Sequence, residues 1–193
     1  MNLTIKNIMQ VAGAYVQASR TLTPDQAIIN NGETIAAGKS GTAGSAGVMT
    51  LGTGHGITTQ MLVTLSWITG VRYNCTVSQA DSTTITLTGG AGDALPTSGT
   101  VIASVPQQID MAFLGTNLKA LSVGADIPIH FTLEDADPVV HLAKSVGASG
   151  AYQWDSENGE ANPVTGDSIV SLYVSNRGAV AGIFKAIIAY DND

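Results

Sequence analysis

The sequence has few cysteines, few charges and few aromatic side chains, and these shortages exclude several classes of protein. Cys75 is the one cysteine in 193 residues, which rules out an internal disulfide and a cysteine-based zinc site. Charged residues make up 12% of the chain, about half the usual share of a soluble domain. Because 44% of the residues are hydrophobic, the chain is able to bury a core and is not globally disordered.

The balance of charge argues against a nucleic-acid partner. Eight Lys and Arg residues oppose fifteen Asp and Glu residues, which gives a net charge of −7, and the cations are scattered singly along the chain. A phosphate backbone repels such a protein unless its cations cluster. We therefore expect no nucleic acid among its partners.

Long hydrophobic runs are also lacking. No apolar segment approaches the ~20 residues needed to cross a bilayer, so we expect a soluble protein without a membrane partner. The segment from Lys6 to Val16 loosely imitates a signal peptide, but Gln10 interrupts its apolar run. We expect no cleaved signal.

The N-terminal part of the chain is predicted to differ from the remainder. Residues 1–24 form a first unit, either a short helix or an extended arm. Residues 25–56 are predicted to be a hairpin and a glycine-rich linker. Asn31-Gly32 lies between two short apolar runs, which is typical of a two-residue hairpin turn. Seven of the nineteen residues from Gly38 to Gly56 are glycine, which favours an irregular connection.

From residue 57 onward, alternation of apolar and polar residues predicts short strands. The clearest lies at 127–133, where Ile127, Ile129, Phe131 and Leu133 share one face. Residues 147–166 are predicted to be mostly loop, with Tyr152 and Trp154 as anchors. Further strands are predicted at 48–51, 61–68, 71–77, 83–88, 101–105, 109–113, 139–142, 168–175 and 181–190. This pattern indicates an all-β fold: an antiparallel β-sandwich or jelly-roll-like domain over residues 57–193, with an N-terminal arm.

The nucleotide-binding motifs in the sequence are incomplete. Gly38-Lys39-Ser40 resembles the end of a phosphate-binding loop, but Glu33 stands where the first glycine of that pattern belongs. The segment Gly52-Thr53-Gly54-His55-Gly56 fails the spacing of the dinucleotide fingerprint. Both segments are interpreted as glycine-rich connections.

The histidines and the cysteine are interpreted as structural residues. His55, His130 and His141 lack the spacing of a zinc site. His130 alternates with the apolar residues of its strand, so we expect it to face solvent or a partner surface. Cys75 shares a face with Val71, Tyr73 and Val77 and is predicted to be buried, which keeps a thiol protonated.

Two acidic turns are weighed as calcium sites. One is the segment 134–138, and the other contains Asp155, Glu157 and Glu160. Neither follows the twelve-residue calcium loop, so solvated turn residues are favoured. Carboxylate pairs also serve glycosidases, but two Trp and three Phe are too few to line a sugar groove. The sequence therefore predicts no catalytic, cofactor-binding or metal-binding residue, and a protein that is not an enzyme.

Several segments resemble small structural proteins of tailed bacteriophage virions. They are Arg72–Ser78, Thr83–Pro96, Ala151–Trp154, Asn162–Ser168 and Leu172–Asn176. The resemblance covers about residues 50–193 and lies in pattern and composition, so it transfers no functional residue. It implies a capsid decoration (cement) protein on the outside of the head, whose partners are the major capsid protein, other virion proteins and copies of itself.

Composition agrees with that expectation, because the cores of assembly surfaces exclude charge. The N-terminal segment is expected to serve attachment or subunit exchange. One alternative is a tail, collar or fibre-base protein of a phage. Another is a secreted adhesin or glycan-binding β-sandwich module.

Overall fold

The described part of the chain is built almost wholly of β-strands. The computed structural model describes residues 3–11, 14–22, 26–111, 118–157, 161–164 and 169–191. The strands are β1 Leu3–Val11, β2 Ala14–Leu22, β3 Gln26–Ile35, β4 Lys39–Ala43, β5 Val48–Leu51, β6 Leu62–Trp67, β7 Gly70–Ala80, β8 Thr84–Thr88, β9 Ala91–Gly92, β10 Thr100–Ser104, β11 Gln107–Asp110, β12 Leu118–Ala125, β13 Ile129–Asp135, β14 Val140–Val146, β15 Ala151–Asp155, β16 Ile169–Asn176 and β17 Gly182–Tyr190. A short 3-10 helix, Ser45–Gly47, precedes β5.

All the strand pairs are antiparallel, which confirms the predicted all-β class. Within the described ranges, no helix has the length and apolar character that crossing a membrane would require.

Strands β1 and β2 form a hairpin that pairs with no other strand of the described chain. Leu3 stands opposite Leu22, and Val11 stands opposite Ala14. The alternative of a short helix for this segment is therefore wrong. Pro24 lies outside the described residues.

Residues 39–104 form a six-stranded barrel. Its strand order is β6-β10-β4-β5-β8-β7, and β7 pairs back with β6 to close the ring. Short β9 adds to the side of β7. The interior is filled by the alternate apolar residues of these strands, among them Met49, Val63, Leu65, Val77 and Ile85. Each such side chain contributes about 1.5–3 kcal/mol when it is fully buried.

The remaining strands form a unit of two four-stranded sheets, here called the two-sheet unit. One sheet has the order β11-β16-β13-β14 and the other β15-β12-β17-β3. Phe131, Leu133 and Leu172 from the first sheet share one hydrophobic core with Phe184 and Ile188 from the second. Residues 127–133 thus contain the buried strand that their alternation predicts.

The barrel lies in the chain between β3 and β11, the first two strands of the two-sheet unit. Residues 57–193 are therefore divided between two units, each with its own hydrophobic core. The strand predicted at 48–51 is confirmed as β5, which contributes Met49 and Leu51 to the barrel core. The glycine-rich linker predicted around it is wrong, because Lys39–Ala43 form strand β4 and Ala43 also lies in that core.

The hairpin predicted at Asn31-Gly32 is also wrong, because both residues lie inside β3. The ladder between β3 and β17 shifts register near this point, between Phe184 and Ala186. Gly32 has φ +135°, and its N–H donates to Oδ1 of Asn30 at 2.8 Å. The residues that suggest a turn instead form an irregularity within one strand, as glycine often does in bulges.

Strands β12 and β15 were not predicted, and β15 lies in the segment predicted to be mostly loop. Trp154 of β15 is buried in the core of the two-sheet unit, and Tyr152 packs partly against it. Most of the other predicted strands correspond to observed ones, with shifted ends. The predicted strand at 109–113 is represented by β11, and Phe113 lies outside the described residues.

Replacing Gly41 by alanine should destabilise the barrel. A Cβ there would lie 2.4 Å from the carbonyl oxygen of Thr50 on the neighbouring strand β5. We expect Gly41→Ala to lower the free energy of unfolding by about 1–3 kcal/mol in urea denaturation. Gly52→Ala is the control, since its Cβ would meet no atom within 4 Å. Equal effects of the two substitutions would contradict the close approach of β4 to β5.

Candidate functional site

The three histidines lie apart in the fold. His55 follows β5, His130 is in β13 and His141 is in β14. Across the described ranges, no three His, Cys, Asp or Glu side chains are grouped so that they could hold a metal ion. These residues therefore have to be considered one by one.

His55 is a buried side chain in an otherwise mostly exposed loop of the barrel. The Ile57 N–H donates to its Nδ1 at 3.0 Å, so the proton of the neutral ring is on Nε2. Nε2 lies 2.9 Å from the carbonyl oxygen of Asp81 and donates to it. Both ring nitrogens are thus used in holding the loop.

The first acidic turn is a hydrogen-bonded turn rather than a cluster of free carboxylates. Oδ1 of Asp135 accepts the N–H groups of Asp137 and Val139, both at 2.9 Å. Its Oδ2 lies 2.7 Å from Nε2 of His141. These bonds, first that from His141, lower the pKa of Asp135. Glu134, by contrast, is buried, so its assignment as a solvated turn residue is wrong.

The second acidic turn is similar in its described part. Asp155 is buried, so its assignment as a solvated turn residue is also wrong, and its Oδ1 accepts the N–H of Glu157 at 3.0 Å. Glu160 lies outside the described residues.

Cys75 is fully buried in the barrel core, as its place in the alternating strand predicts. Burial raises the pKa of its thiol to about 11. The thiol is therefore protonated near neutral pH and is a structural side chain.

A densely hydrogen-bonded polar group lies where the barrel meets the two-sheet unit, and it begins at an irregularity of β7. The register of β6 against β7 shifts between Val63 and Leu65, so Tyr73 and Asn74 together stand opposite Thr64. Asn74 has φ +49°, a left-handed conformation that asparagine tolerates better than most residues. A bulge of this kind redirects a side chain. Here it turns the Asn74 amide toward the two-sheet unit.

Glu134 on β13 receives that amide. The ladders on both sides of β13 change register at Glu134, against β14 and against β16. Nδ2 of Asn74 donates to Oε1 of Glu134 and, at 3.1 Å, to Oγ1 of Thr132. Oγ1 of Thr132 also lies 3.1 Å from Oε1 of Glu134. Oγ1 of Thr64 donates to Oδ1 of Asn74 at 3.2 Å, so both ends of the amide are used.

Burial raises the pKa of Glu134, and the hydrogen bonds from Asn74 and Thr132 oppose that rise. Glu134 is 2% exposed. A buried carboxyl group is costly unless it is hydrogen-bonded, so its partners are needed for this arrangement to be stable. Asn74, Thr64, Thr132 and Glu134 are named the junction cluster. A cleft of about 420 Å³ lies beside it and is lined by Asn74, Glu134 and Val139, among others.

His130 adds an aromatic contact to the same junction. It is buried rather than facing solvent or a partner, so that sequence prediction is wrong. Its ring meets the ring of Tyr73 edge to face, with centroids 5.6 Å apart. Nδ1 lies 2.7 Å from Oγ of Ser145, and Nε2 has no hydrogen-bond partner. Burial, with a smaller effect of Arg177, lowers the pKa of His130 to about 3.

Asn176 forms hydrogen bonds at both points where the chain passes between the two-sheet unit and the barrel. Its side-chain Nδ2 donates to the carbonyl oxygen of Ala36 at 3.0 Å, just before the barrel begins. Its backbone N–H donates to Oγ of Ser104 at 3.0 Å, where the barrel ends. Gly38 also donates its N–H to the carbonyl oxygen of Gly178 at 2.8 Å. The two units are thus joined by hydrogen bonds at the connections as well as at the junction cluster.

An apolar surface contributed by both units lies at the turn between β6 and β7. Ile68 in this turn is fully exposed. A shallow cavity of about 290 Å³ beside it is lined by Trp67, Ile68, Ile102 and Arg177, among others. These four residues are named the apolar tip. Trp67 and Ile102 are partly buried, and Arg177 is exposed.

Sequence reasoning missed the junction cluster and the apolar tip. The sequence signal for the junction cluster was Asn74, a poor strand former inside a long alternating strand. The sequence signal for the apolar tip was Ile68, which stands in the predicted turn between two strands. Neither signal identifies which residues meet in space.

No protein-family model matches the chain, and neither a curated protein nor a solved structure is significantly similar to it.

Removing the Asn74 amide should destabilise the protein. Asn74→Ala removes the amide donor from the buried Glu134 carboxyl, leaving it the hydroxyl of Thr132, and places alanine at φ +49°. We expect a loss of about 2–3 kcal/mol in the free energy of unfolding, measured in urea. Thr76→Ala, an exposed position of the same strand, is the control and should cost less than about 1 kcal/mol. If both variants unfold at the wild-type midpoint, the junction cluster does not stabilise the fold.

His130 should make the protein less stable in acid. The unfolded chain binds a proton below pH 6.5, whereas the folded His130 stays neutral down to about pH 3. The stability from this residue is therefore complete above pH 6.5 and is lost as the pH falls. By pH 5 the loss is about 2 kcal/mol.

The measurement is the free energy of unfolding at pH 7.5 and pH 5 for the wild type and His130→Gln. The loss of stability between pH 7.5 and pH 5 that His130 causes should be absent in His130→Gln and present in the control His141→Gln. The same pH dependence in wild type and His130→Gln would contradict the burial of a neutral ring.

Proposed function

We propose that this protein is a structural component of a tailed-phage virion, a capsid decoration protein that binds the outer head surface and stabilises the shell. Its partners are then the major capsid protein or other virion proteins, and it works without catalysis or a cofactor. The observation that carries the proposal is the apolar tip, where a fully exposed Ile68 stands beside Trp67 and Arg177. A fully exposed isoleucine flanked by the partly buried Trp67 and Ile102 is costly in water and favours a contact that covers it.

We further propose that the two-sheet unit is a β-sandwich of the jelly-roll type. The pairing of its eight strands supports this: the first, β3, pairs with the last, β17, and the second, β11, pairs with the second to last, β16. In the same way β12 pairs with β15, and β13 pairs with β14. In each pair the two strands lie equally far, in chain order, from the two ends of the eight-strand series. This is the pattern of a long hairpin that is rolled into two sheets. Jelly rolls occur in viral capsid proteins and in lectins.

The charge of the chain supports a place on the outside of a shell. A net charge of −7 repels packaged nucleic acid. The small charged fraction, 12%, leaves neutral surface that a neighbouring subunit is able to cover without stripping water from ions. The resemblance of residues 50–193 to small virion proteins agrees with the same location.

Fold alone does not give function, so the proposal has to be tested at the apolar tip. Ile68→Asp places a charge where the partner would bury an apolar side chain. We expect it to weaken binding to undecorated capsids by roughly tenfold or more. Val139→Asp, at a half-exposed valine outside the apolar tip, is the control and should bind as the wild type does. The measurement is occupancy of purified capsids in a cosedimentation titration.

Three results would contradict the proposal. The first is equal capsid occupancy for Ile68→Asp and the wild type. The second is wild-type protein that does not bind heads but labels isolated tails, which would favour the tail, collar or fibre-base alternative. The third is binding to a glycan array without capsid binding, which would favour the adhesin alternative. Jelly-roll lectins make that last comparison worthwhile.

A further inference from the structure

The cleft beside the junction cluster, here named the junction cleft, is lined by both units. Leu62, Asn74 and Ala91 belong to the barrel side, and Glu134 and Val140 belong to the two-sheet side. Its volume is about 420 Å³. Small-molecule sites commonly measure about 300–1,000 Å³ and lie preferentially where two domains meet. The junction cleft thus has both the size and the position of a small-molecule site.

Hydrogen bonds hold both walls of the junction cleft in place. On the barrel side, the Arg72 guanidinium donates to the carbonyl oxygens of Gly89 at 2.7 Å and of Gly90 at 3.0 Å. On the two-sheet side, Oδ1 of Asp135 accepts the N–H of Val139 at 2.9 Å. Gly90 and Val139 are themselves lining residues. Walls that are fixed in advance reduce the entropy that is lost when a ligand binds.

The residues around the junction cleft favour a particular kind of occupant. Leu62, Pro138, Val139 and Val140 present apolar surface. Among the described residues that line the cleft, Glu134 has the one acidic side chain, and none is a lysine, an arginine or a histidine. A complementary molecule is therefore apolar along most of its length and carries a positive charge at one end.

Glu134 offers an oxygen atom to such a molecule. Asn74 and Thr132 both donate to Oε1 of Glu134, and no group of the described chain donates to Oε2. Polar side-chain atoms that are both fully buried and unpartnered occur in the described chain at Asn30 Nδ2, His130 Nε2 and Trp154 Nε1. Oε2 of Glu134 is not among them, so it is reached from the cleft that Glu134 lines.

The electrostatic surroundings of Glu134 also favour a cation at Oε2. Burial raises the pKa of this carboxyl group, and the negative charge of the neighbouring Asp135 adds to the rise. Both effects penalise the ionised carboxylate. An ammonium group at Oε2 would compensate them, because it supplies a positive charge and a charge-assisted hydrogen bond.

We propose that the junction cleft binds a small organic cation, a primary ammonium on a short alkyl chain, with the ammonium at Oε2 of Glu134 and the chain against Leu62, Val139 and Val140. Glu134 then has two roles, because its Oε1 holds the Asn74 amide while its Oε2 holds the cation. The inference is independent of the capsid proposal, since the junction cleft and the apolar tip share no lining residue.

A first test compares a charged probe with a neutral one. The charged probe is n-hexylamine, an ammonium ion at pH 7.5, and the neutral probe is 1-hexanol. Each is titrated into the isotope-labelled full chain while the amide NMR resonances are followed. We expect hexylamine to cause saturable shifts at Gly90, Ala91, Val139 and Val140. We expect 1-hexanol to bind roughly tenfold more weakly, because it lacks the charge.

Three results of this titration would overturn the proposal. The first is the absence of a saturable shift with hexylamine. The second is a set of shifts that lies outside the junction cleft. The third is an equal affinity for hexylamine and 1-hexanol, which would mean that Glu134 does not select a cation.

A second test removes the charge of the carboxyl group. Glu134→Gln keeps an oxygen that is able to accept from Asn74 and Thr132. We expect it to weaken hexylamine binding roughly tenfold and to leave 1-hexanol binding nearly unchanged. Glu157→Gln, the same change at an exposed glutamate after β15, is the matched control and should bind hexylamine as the wild type does. Wild-type affinity for hexylamine in folded Glu134→Gln would contradict the assignment.

A further variant keeps the junction cluster intact, in case Glu134→Gln does not fold. Ala91→Phe places a large side chain at a lining position of the cleft on short strand β9. We expect the saturable hexylamine shifts to be lost while the dispersion of the amide resonances shows a folded chain. A folded Ala91→Phe variant that binds hexylamine with wild-type affinity would overturn the proposal.

A last comparison distinguishes a free amine from a lysine side chain of another protein. Nα-acetyl-lysine methylamide carries the same ammonium group on a peptide unit. We expect it to bind more weakly than hexylamine, because its polar peptide unit has to approach the apolar walls of the cleft. Tighter binding of the lysine derivative would mean that the cleft takes a protein side chain, and would overturn the assignment to a small molecule.

Discussion

A buried hydrogen-bonded contact between two interrupted β-ladders determines how the two units of this protein are joined. The bulge at Asn74 turns its amide out of the barrel, and the irregular ladders around Glu134 bring a carboxyl group to meet it. Regular strands would direct both side chains into or away from their own sheets. Each side chain needs the other, because an unpaired buried carboxyl or amide is costly. The contact therefore favours one arrangement of the barrel relative to the two-sheet unit.

That arrangement creates the surfaces on which the functional proposals depend. The apolar tip combines Trp67, Ile68 and Ile102 of the barrel with Arg177 of the two-sheet unit. Neither unit would present this combination alone. A chain with few charges is thus organised as two hydrophobic cores, whose junction brings the residues of the apolar tip together.

The sequence was informative where burial on one face imposes alternation. Strands such as β7 and β13 could be predicted, because apolar residues such as Val77 and Phe131 occupy every second position beside Thr and Ser.

Prediction from the sequence failed where glycine and asparagine are compatible with either a turn or an irregular strand. Asn31-Gly32 forms an irregularity inside β3 instead of a turn, and Gly41 allows β4 to pack closely in the barrel. Strand β12 went unrecognised because Ala120, Ser122 and Gly124 have little β preference. His130 looked exposed by alternation, but the barrel covers that face of its sheet with Tyr73. Contacts between units cannot be read from the period of one strand.

The central claim is that the barrel and the two-sheet unit act as one body that presents the apolar tip to a capsid. Electron cryomicroscopy of capsids decorated with the purified protein tests it most directly. We expect both units to appear on the head exterior in the arrangement set by Asn74 and Glu134, with Ile68 against the shell. Density for the two units in variable relative orientations, or a shell contact made by another surface, would contradict the account.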